Sequence, residues 1–286
     1  MSTKVSVICT CYNHEKYIEQ TLLSILNQIV DFEYELLVHD DCSPDNSRKV
    51  IDRVFNEYSG KCQIKRIYPE ENIYSKGASA VLFNMLPHVD GEFIAFCEGD
   101  DYWVDDNKLQ KQLEALTSHK DINACFHPSL TLLKDELVDK KYGYQGDLEK
   151  KIPYQYVIKK GGDTMPMASM FIRKEPFFDL IYQHEDFFKL YGEHSVLQII
   201  NSIEQGAWYL PEKMSVYRSM HEGSWSLQQA KDSTAEDREF EQYKIRILGL
   251  NKIYHYKYWT CFLGIYLKKS KKHYRKKIKR WFKTKA

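Results

Sequence analysis

Glycine is missing from the first 59 residues of this 286-residue chain, and Gly60 is the first of 13. A dinucleotide-binding turn needs glycines directly after its first strand, so that the backbone can approach a pyrophosphate, and that turn is excluded. A P-loop and a G-x-S-x-G nucleophile elbow are missing as well. No apolar run approaches the roughly 18 residues that cross a bilayer. Met1-Ser2-Thr3-Lys4 leads at once into a strand pattern, so a signal peptide is not expected. The seven cysteines are scattered, odd in number and without a C-x-x-C pair. That usage suits a reducing cytoplasm and argues against a disulfide scaffold or a thiolate zinc site.

What is present fits an ordinary globular domain, with 43% hydrophobic and 28% charged residues. Aromatics reach 14%, 21 of them tyrosine. The net charge of +1 hides an asymmetry: from Lys268 to Ala286 stand eleven Lys or Arg and no acid. Removing those eleven from 41 basic residues leaves 30 against 40 acids, a body near −10. An acidic body with a basic tail points to an anionic surface as the tail's partner.

The first hundred residues alternate strand and helix. Val5 to Cys11 is a strand-type run, and Asn13 offers an N-cap. Ile18, Leu22, Ile25, Leu26 and Ile29 then recur at helical spacing. Tyr34 to His39 is a second strand, followed by Asp40-Asp41, turn chemistry at Ser43 to Asn46, and a helix face at Val50, Ile51, Val54, Phe55 and Tyr58. Ile64 to Tyr68, Ala78 to Leu86 and Glu92 to Cys97 read as strand, helix and strand. Such repetition predicts an α/β fold, a mostly parallel sheet flanked by helices, with ligands beyond the carboxyl ends of its strands. Three polar clusters fall at those ends: Tyr12-Asn13, Asp40-Asp41, and Glu98 to Asp101. Further on, Leu109, Leu113 and Leu116 mark a helix, Asn123 to Leu133 and Met167 to Arg173 strands, and Val196, Leu197, Ile200 and Ile203 a helix beginning near Glu193. Residues 135 to 163 read as a loop.

With no glycine-rich nest, a phosphate would be held here by a carboxylate-bound divalent metal. Glu98-Gly99-Asp100-Asp101 supplies carboxylates at the end of a buried strand, where like charges repel unless a cation relieves them. Glu98 and Asp100 point the same way, and Gly99 keeps the approach open. An acidic first turn before the Leu109 helix is the structural alternative.

Val5-Ser6-Val7-Ile8-Cys9-Thr10-Cys11-Tyr12-Asn13 resembles the opening of family 2 glycosyltransferases of the GT-A fold. Asp40-Asp41-Cys42-Ser43-Pro44-Asp45 resembles that family's D-D-x-S-x-D turn. Glu98-Gly99-Asp100-Asp101-Tyr102-Trp103 resembles its DXD motif, as bacterial polysaccharide and O-antigen enzymes write it. The three occur in the family's order, and the resemblance runs from about Val5 to Trp225.

The resemblance implies an inverting transfer of a sugar from a nucleotide-diphosphate donor, UDP in most members, to a hydroxyl of a glycan or lipid-linked acceptor. Thr10, Tyr12 and Asn13 would line the nucleotide pocket, Asp41, or in its place Asp40, would accept from the base imide, and Glu98, where the family more often has Asp, would contact the ribose beside Gly99. Asp100 would bind Mn²⁺ or Mg²⁺, with His221 completing the metal or diphosphate site. Lys76 would neutralise phosphate, or be a solvated loop lysine. Asp101, Trp103 and Trp225 would shape the acceptor or sugar pocket. Glu193, opening a helix in the second half, is the expected general base; a glutamate there also complements the helix dipole, and Glu185 and Asp186 are the fallback.

The expected organisation is a nucleotide-sugar half at 1–104, an acceptor half of the same domain at 105–226, and a helical extension at 227–286. In the tail, Tyr274, Ile278, Trp281 and Phe282 share a helical face among Lys and Arg, as in an amphipathic helix on anionic lipid. A solubilising tail and nonspecific nucleic-acid affinity are the other readings. A cytoplasmic enzyme at the inner face of the cell membrane is therefore expected, with no specific nucleic-acid partner. Two rivals stand beside it: a sugar nucleotidyltransferase, and an inactive carbohydrate-binding or scaffold protein on the same fold.

Overall fold

Val5–Cys11 forms β1, and it is buried along almost its whole length, as a strand covered on both faces must be. The computed structural model describes residues 4–283 apart from 78, 135, 161–162, 193, 222–223, 225–226, 228–231 and 233, and side chains through Ile278. β1 lies in parallel between β2 (Tyr34–Asp40) and β4 (Phe93–Glu98), with β3 (Gln63–Ile67) parallel outside β2. Side chains alternate across this sheet. Val5, Val7, Cys9 and Cys11 join one core layer, with Ile18, Leu22 and Ile25 of α1 (Ile18–Leu26) and Ile51 and Val54 of α2 (Ser47–Glu57). Ile8, Ile94 and Phe96 face the other, beneath α3 (Ala80–Met85).

The same sheet continues into the second half of the chain. β10 (Phe171–Arg173) runs antiparallel between β4 and β6 (Ala124–Phe126). β11 (Ala207–Tyr209) and β9 (Lys150–Ile152) follow, giving the order β3-β2-β1-β4-β10-β6-β11-β9. A second sheet, β5-β12-β7-β8, comprises Tyr102–Trp103, Ser215–Ser219, Ser129–Leu133 and Glu136–Tyr142. It carries the stretch after Asp101 and brings β12 back to it. The helices of this half are α4 (Lys108–Ser118), α5 (Tyr154–Lys160), α6 (Lys174–Gln183), α7 (Glu185–Tyr191) and α8 (His194–Ile200). Two longer ones, α9 (Ala235–Ile253) and α10 (Trp259–Lys283), pack on each other at the end of the chain.

Several expectations need correction. α1 ends at Leu26, and Ile29 lies 62% exposed beyond it, its N–H bonded to the Asp106 carbonyl. Asn13 does not cap α1, whose flanking residue is Tyr17. Residues 135–163 hold β8, β9 and α5 rather than one loop. β8 reads ELVDKKY because it pairs only with β7 and is exposed along most of its length, so no hydrophobic alternation marks it. Asn123 to Leu133 is two short strands that enter different sheets.

Lys108 is wholly buried at the start of α4. Its Nζ donates to Gln112 Oε1 at 2.7 Å and sits 3.9 Å from the centroid of the Trp103 ring. Burial pulls its ammonium down to about 7. Between that value and the ordinary one near ~10.4, the unfolded chain binds more protons than the folded one, so stability rises with pH across the window. Lys108→Met should therefore stabilise the protein more at pH 6 than at pH 9.5, by a difference of about 2–4 kcal/mol. Equal shifts in melting temperature at the two pH values would contradict this.

Candidate active site

The sheet places the three polar clusters side by side. Thr10 lies opposite His39 on one side and Glu98 on the other, and Cys11 lies opposite Asp40. Neighbouring strands are about 4.8 Å apart, so all three turns leave one edge together. Asn13 and Cys42 take left-handed φ values of 60° and 56°, which swing the chain out of β1 and β2. The two turns are then bonded to each other. Ser43 Oγ accepts from Asn13 N, Ser47 Oγ from His14 N, and Asp45 from Glu15 N, each at 2.9 Å. Glu15 in turn accepts from Asn46 N and Nδ2 at 3.0 Å.

Asp40 is tied to Arg48 Nε at 3.1 Å and stays out of the cleft. Asp41 is buried, and its two oxygens accept from Ile73 N at 2.8 Å and Tyr74 N at 3.0 Å. It thereby fixes the 72–77 loop against the end of β2. Lys76 on that loop is exposed and paired with Glu71 at 2.5 Å. Tyr12 is 49% exposed, an open ring beside the edge.

The acidic turn after β4 is held from three directions. Gly99 N donates to Thr10 O at 2.8 Å, and a Cβ at this position would lie 2.9 Å from His14 Nδ1 and 3.0 Å from Thr10 O. This close fit to β1 and α1 by itself calls for glycine here. Thr21 Oγ1 is bonded to the Gly99 and Asp101 carbonyls. Arg218 on β12 donates through its N–H to Asp101 Oδ1 at 2.9 Å and through Nη1 to Asp100 O at 2.7 Å; Nη2 reaches Gln20. The guanidinium lies between the Tyr17 and Tyr102 rings, 4.9 and 4.6 Å from their centroids.

This clamp directs Asp100 toward two imidazoles. His221 Nε2 is 2.9 Å from Asp100 Oδ2, and His14 Nε2 is 3.8 Å from the same oxygen. Burial pushes the Asp100 carboxyl up, but the His221 hydrogen bond and the charges of His14 and His221 outweigh it and the net effect is downward. Glu98 has no such support. Its confined place in the crevice and the charge of Asp100 push its carboxyl up to about 8, although the side chain is open to solvent and water screens part of that effect. The Tyr142 phenol lies within electrostatic reach of Glu98 and Asp101, and its ring meets that of Tyr217 edge-on at 5.4 Å.

Two expected pocket residues prove to be supports. Asp101 is 2% exposed and spent on Arg218. Trp103 is 4% exposed, with Nε1 donating to Ala168 O at 3.0 Å and Lys108 over its ring. Hydrophobic surface drew Trp103 into the core, and the bond to Arg218 N holds Asp101 inward. Glu193 and Trp225 lie outside the described residues. On either side of position 193, Gly192 N donates to Phe188 O at 2.7 Å, and His194 Nε2 meets Gln198 Nε2 at 2.8 Å. Glu185 is paired with Lys189 along α7 at 2.6 Å. His14, Tyr17, Gln20 and Arg218 were not singled out for roles in the sequence. A histidine directly after the Tyr-Asn turn, facing the third strand end, was the available signal.

Asp100 and His221 offer one carboxylate and one imidazole. A diphosphate-bound Mg²⁺ or Mn²⁺ takes a few protein ligands besides phosphate oxygens and water, so this pair fits such an ion, and the imidazole leans toward Mn²⁺. Among the described residues no group of three or more His, Cys, Asp or Glu could hold a metal by itself.

A strand-end site of this geometry on a mostly parallel α/β sheet is that of a nucleotide-sugar-binding GT-A fold. The family model "Glycosyl transferase family 2" matches residues 6–180, and the chain belongs to that family. It is similar to the Escherichia coli UDP-Glc:alpha-D-GlcNAc-diphosphoundecaprenol beta-1,3-glucosyltransferase WfgD, 39% identical over 113 residues, covering 39% of this chain and 40% of the relative. The chain spans 60% of the length of curated mycobacterial relatives to which it is 28% identical. In fold it is similar to Staphylococcus aureus TarS 1-349 in complex with UDP-GlcNAc, with a TM-score of 0.59, 21% identity, and coverage of 86% and 67% of the two chains. The Pyrobaculum calidifontis mannosyltransferase PcManGT, in complex with GDP-Man and Mn²⁺, gives a TM-score of 0.57 at 15% identity, covering 88% and 65%.

Proposed function

We infer that the protein is an inverting, metal-dependent glycosyltransferase, moving a hexose-type sugar from a UDP-sugar to a hydroxyl of a glycan or lipid-linked acceptor in bacterial surface polysaccharide synthesis. The observation that carries this reading is Asp100, held between His14 and His221 by the Arg218 clamp at the joined ends of β1, β2 and β4. Thr10, Tyr12 and Asn13 form the nucleotide side. Each Asp41 oxygen keeps a lone pair beyond its bond to the 72–74 backbone, and one of them receives the base imide. Glu98 receives the ribose hydroxyls.

Asp100 and His221 would hold Mn²⁺ or Mg²⁺ on the diphosphate. Bound there, the ion supplies charge stabilisation to the departing nucleoside diphosphate. The protein's own part is preorganisation, since Arg218 and Thr21 fix the Asp100 turn before the donor arrives. Glu193 removes the proton from the acceptor oxygen as that oxygen attacks the anomeric carbon from the face opposite the diphosphate, and the configuration inverts. The acceptor places the enzyme at the inner face of the cell membrane, in keeping with the basic C-terminal segment.

The test is a turnover screen of UDP-glucose, UDP-galactose, UDP-N-acetylglucosamine and GDP-mannose with the purified chain. One donor should release its nucleotide in a manganese-dependent reaction. Binding without release of any of them would favour an inactive binding protein.

A further inference from the structure

α10 is apolar on two sides. Tyr258, just before it, and Phe262, Ile265 and His273 are buried toward α9 and α5. At 100° per residue, Trp259, Leu263, Leu267, Tyr274 and Ile278 fall within an arc of about 100° on the side turned away from that packing. They are 53, 42, 56, 54 and 56% exposed. Single exposed apolar side chains are ordinary, whereas five in one row make a stripe about 30 Å long at 1.5 Å per residue. Gly264 beside the row has open space around it, so no other part of the described chain covers that stretch.

The edges of the stripe are positive. On the helical wheel Lys268, Lys271 and Arg275 line one edge and Lys277 the other, and no acid occurs from Lys268 onward. We propose that the outer face of α10 is a docking surface for an anionic lipid bilayer. The helix axis lies in the membrane plane, the Trp259–Ile278 stripe enters the acyl boundary, and the flanking Lys and Arg meet the headgroups.

The charge pattern selects this occupant. A second copy of the same face would set one basic segment against another with no acids to compensate. A nucleic acid would leave the apolar stripe unused. Because the stripe begins at Trp259, ahead of the basic segment, and the helix is bound through its other face, the contact is joined firmly to the catalytic domain rather than to a loose tail. The proposal rests on the glycosyl-transfer reading only for its purpose, presenting the cleft to a lipid-linked acceptor.

The experiment is co-sedimentation of the full chain with vesicles of phosphatidylcholine alone or mixed with phosphatidylglycerol. Binding should require phosphatidylglycerol and weaken with salt. It should fall roughly tenfold or more in Leu263→Glu/Leu267→Glu and, separately, in Lys268→Glu/Lys271→Glu/Arg275→Glu. Both sets lie at the surface, and unchanged circular dichroism would verify their folding. Asp100→Ala should bind vesicles like the unaltered chain, so failure of the catalytic reading would leave this result standing. Three outcomes overturn the proposal: no sedimentation with anionic vesicles, equal binding to both vesicle types untouched by either set, or self-association abolished by Leu263→Glu/Leu267→Glu without lipid binding.

Discussion

Asp100→Ala should remove metal-stimulated binding of the nucleotide sugar and lower turnover by roughly a thousandfold or more. The residue earns this expectation by its surroundings. Asp101 accepts from the Arg218 backbone, whereas the Asp100 side chain is directed at the imidazoles of His221 and His14. Two imidazoles approach the same Asp100 oxygen. Stability separates this role from a structural one. Removing Asp100 also removes its repulsion of Glu98, which adds to the effect of burial in raising the Glu98 carboxyl. Because the variant also loses the hydrogen bond to His221, the two effects oppose each other and it should melt within a few degrees of the unaltered protein. A large loss of stability together with retained nucleotide binding would make Asp100 a structural residue and contradict the assignment.

Glu193→Gln should leave donor affinity unchanged while transfer to acceptor falls by about 10²–10⁴, the usual contribution of a positioned general base. Glutamine keeps the size and most of the hydrogen bonding of glutamate but cannot take a proton. The position is flanked by fixed neighbours. Gly192 is packed so closely that a Cβ would meet Phe188 O at 2.5 Å, and Gln198, which meets His194, also accepts from Thr164 N and Met165 N at 2.9 Å. Glu185 gives the control: it begins α7, half-buried and paired with Lys189, so Glu185→Gln should retain nearly full activity. Full activity in Glu193→Gln with loss in Glu185→Gln would transfer the base to α7. Measuring donor affinity and transfer rate separately distinguishes these outcomes.

The parallel half of the fold was legible because its strands are covered on both faces and therefore read as mainly apolar runs. Val5–Cys11, Tyr34–Asp40 and Phe93–Glu98 carry that signal directly, and polar residues mark where each run stops. The second sheet was not legible. Tyr102–Trp103 is too short to show a period, and Glu136–Tyr142 is an exposed edge strand in which charge replaces alternation.

Within the site, sequence located the turns but not the direction of each side chain. Asp40, Asp41, Asp100 and Asp101 look alike in one dimension. In the fold they serve Arg48, the 72–74 backbone, two histidines and Arg218 respectively. Arg218 and His14 reach the acidic turn from distant parts of the chain, and no local spacing encodes that meeting. Trp103 shows the converse: its place after the acids suggested a sugar platform, and its hydrophobic surface drew it inward.

The most direct test of the central claim is an anomalous difference map from crystals grown with UDP and Mn²⁺. The account predicts a manganese peak about 2.2 Å from an Asp100 oxygen, with His221 beside it, the diphosphate on its open side and the uracil toward Asp41. A nucleotide bound in another crevice, with no peak at Asp100, would contradict it.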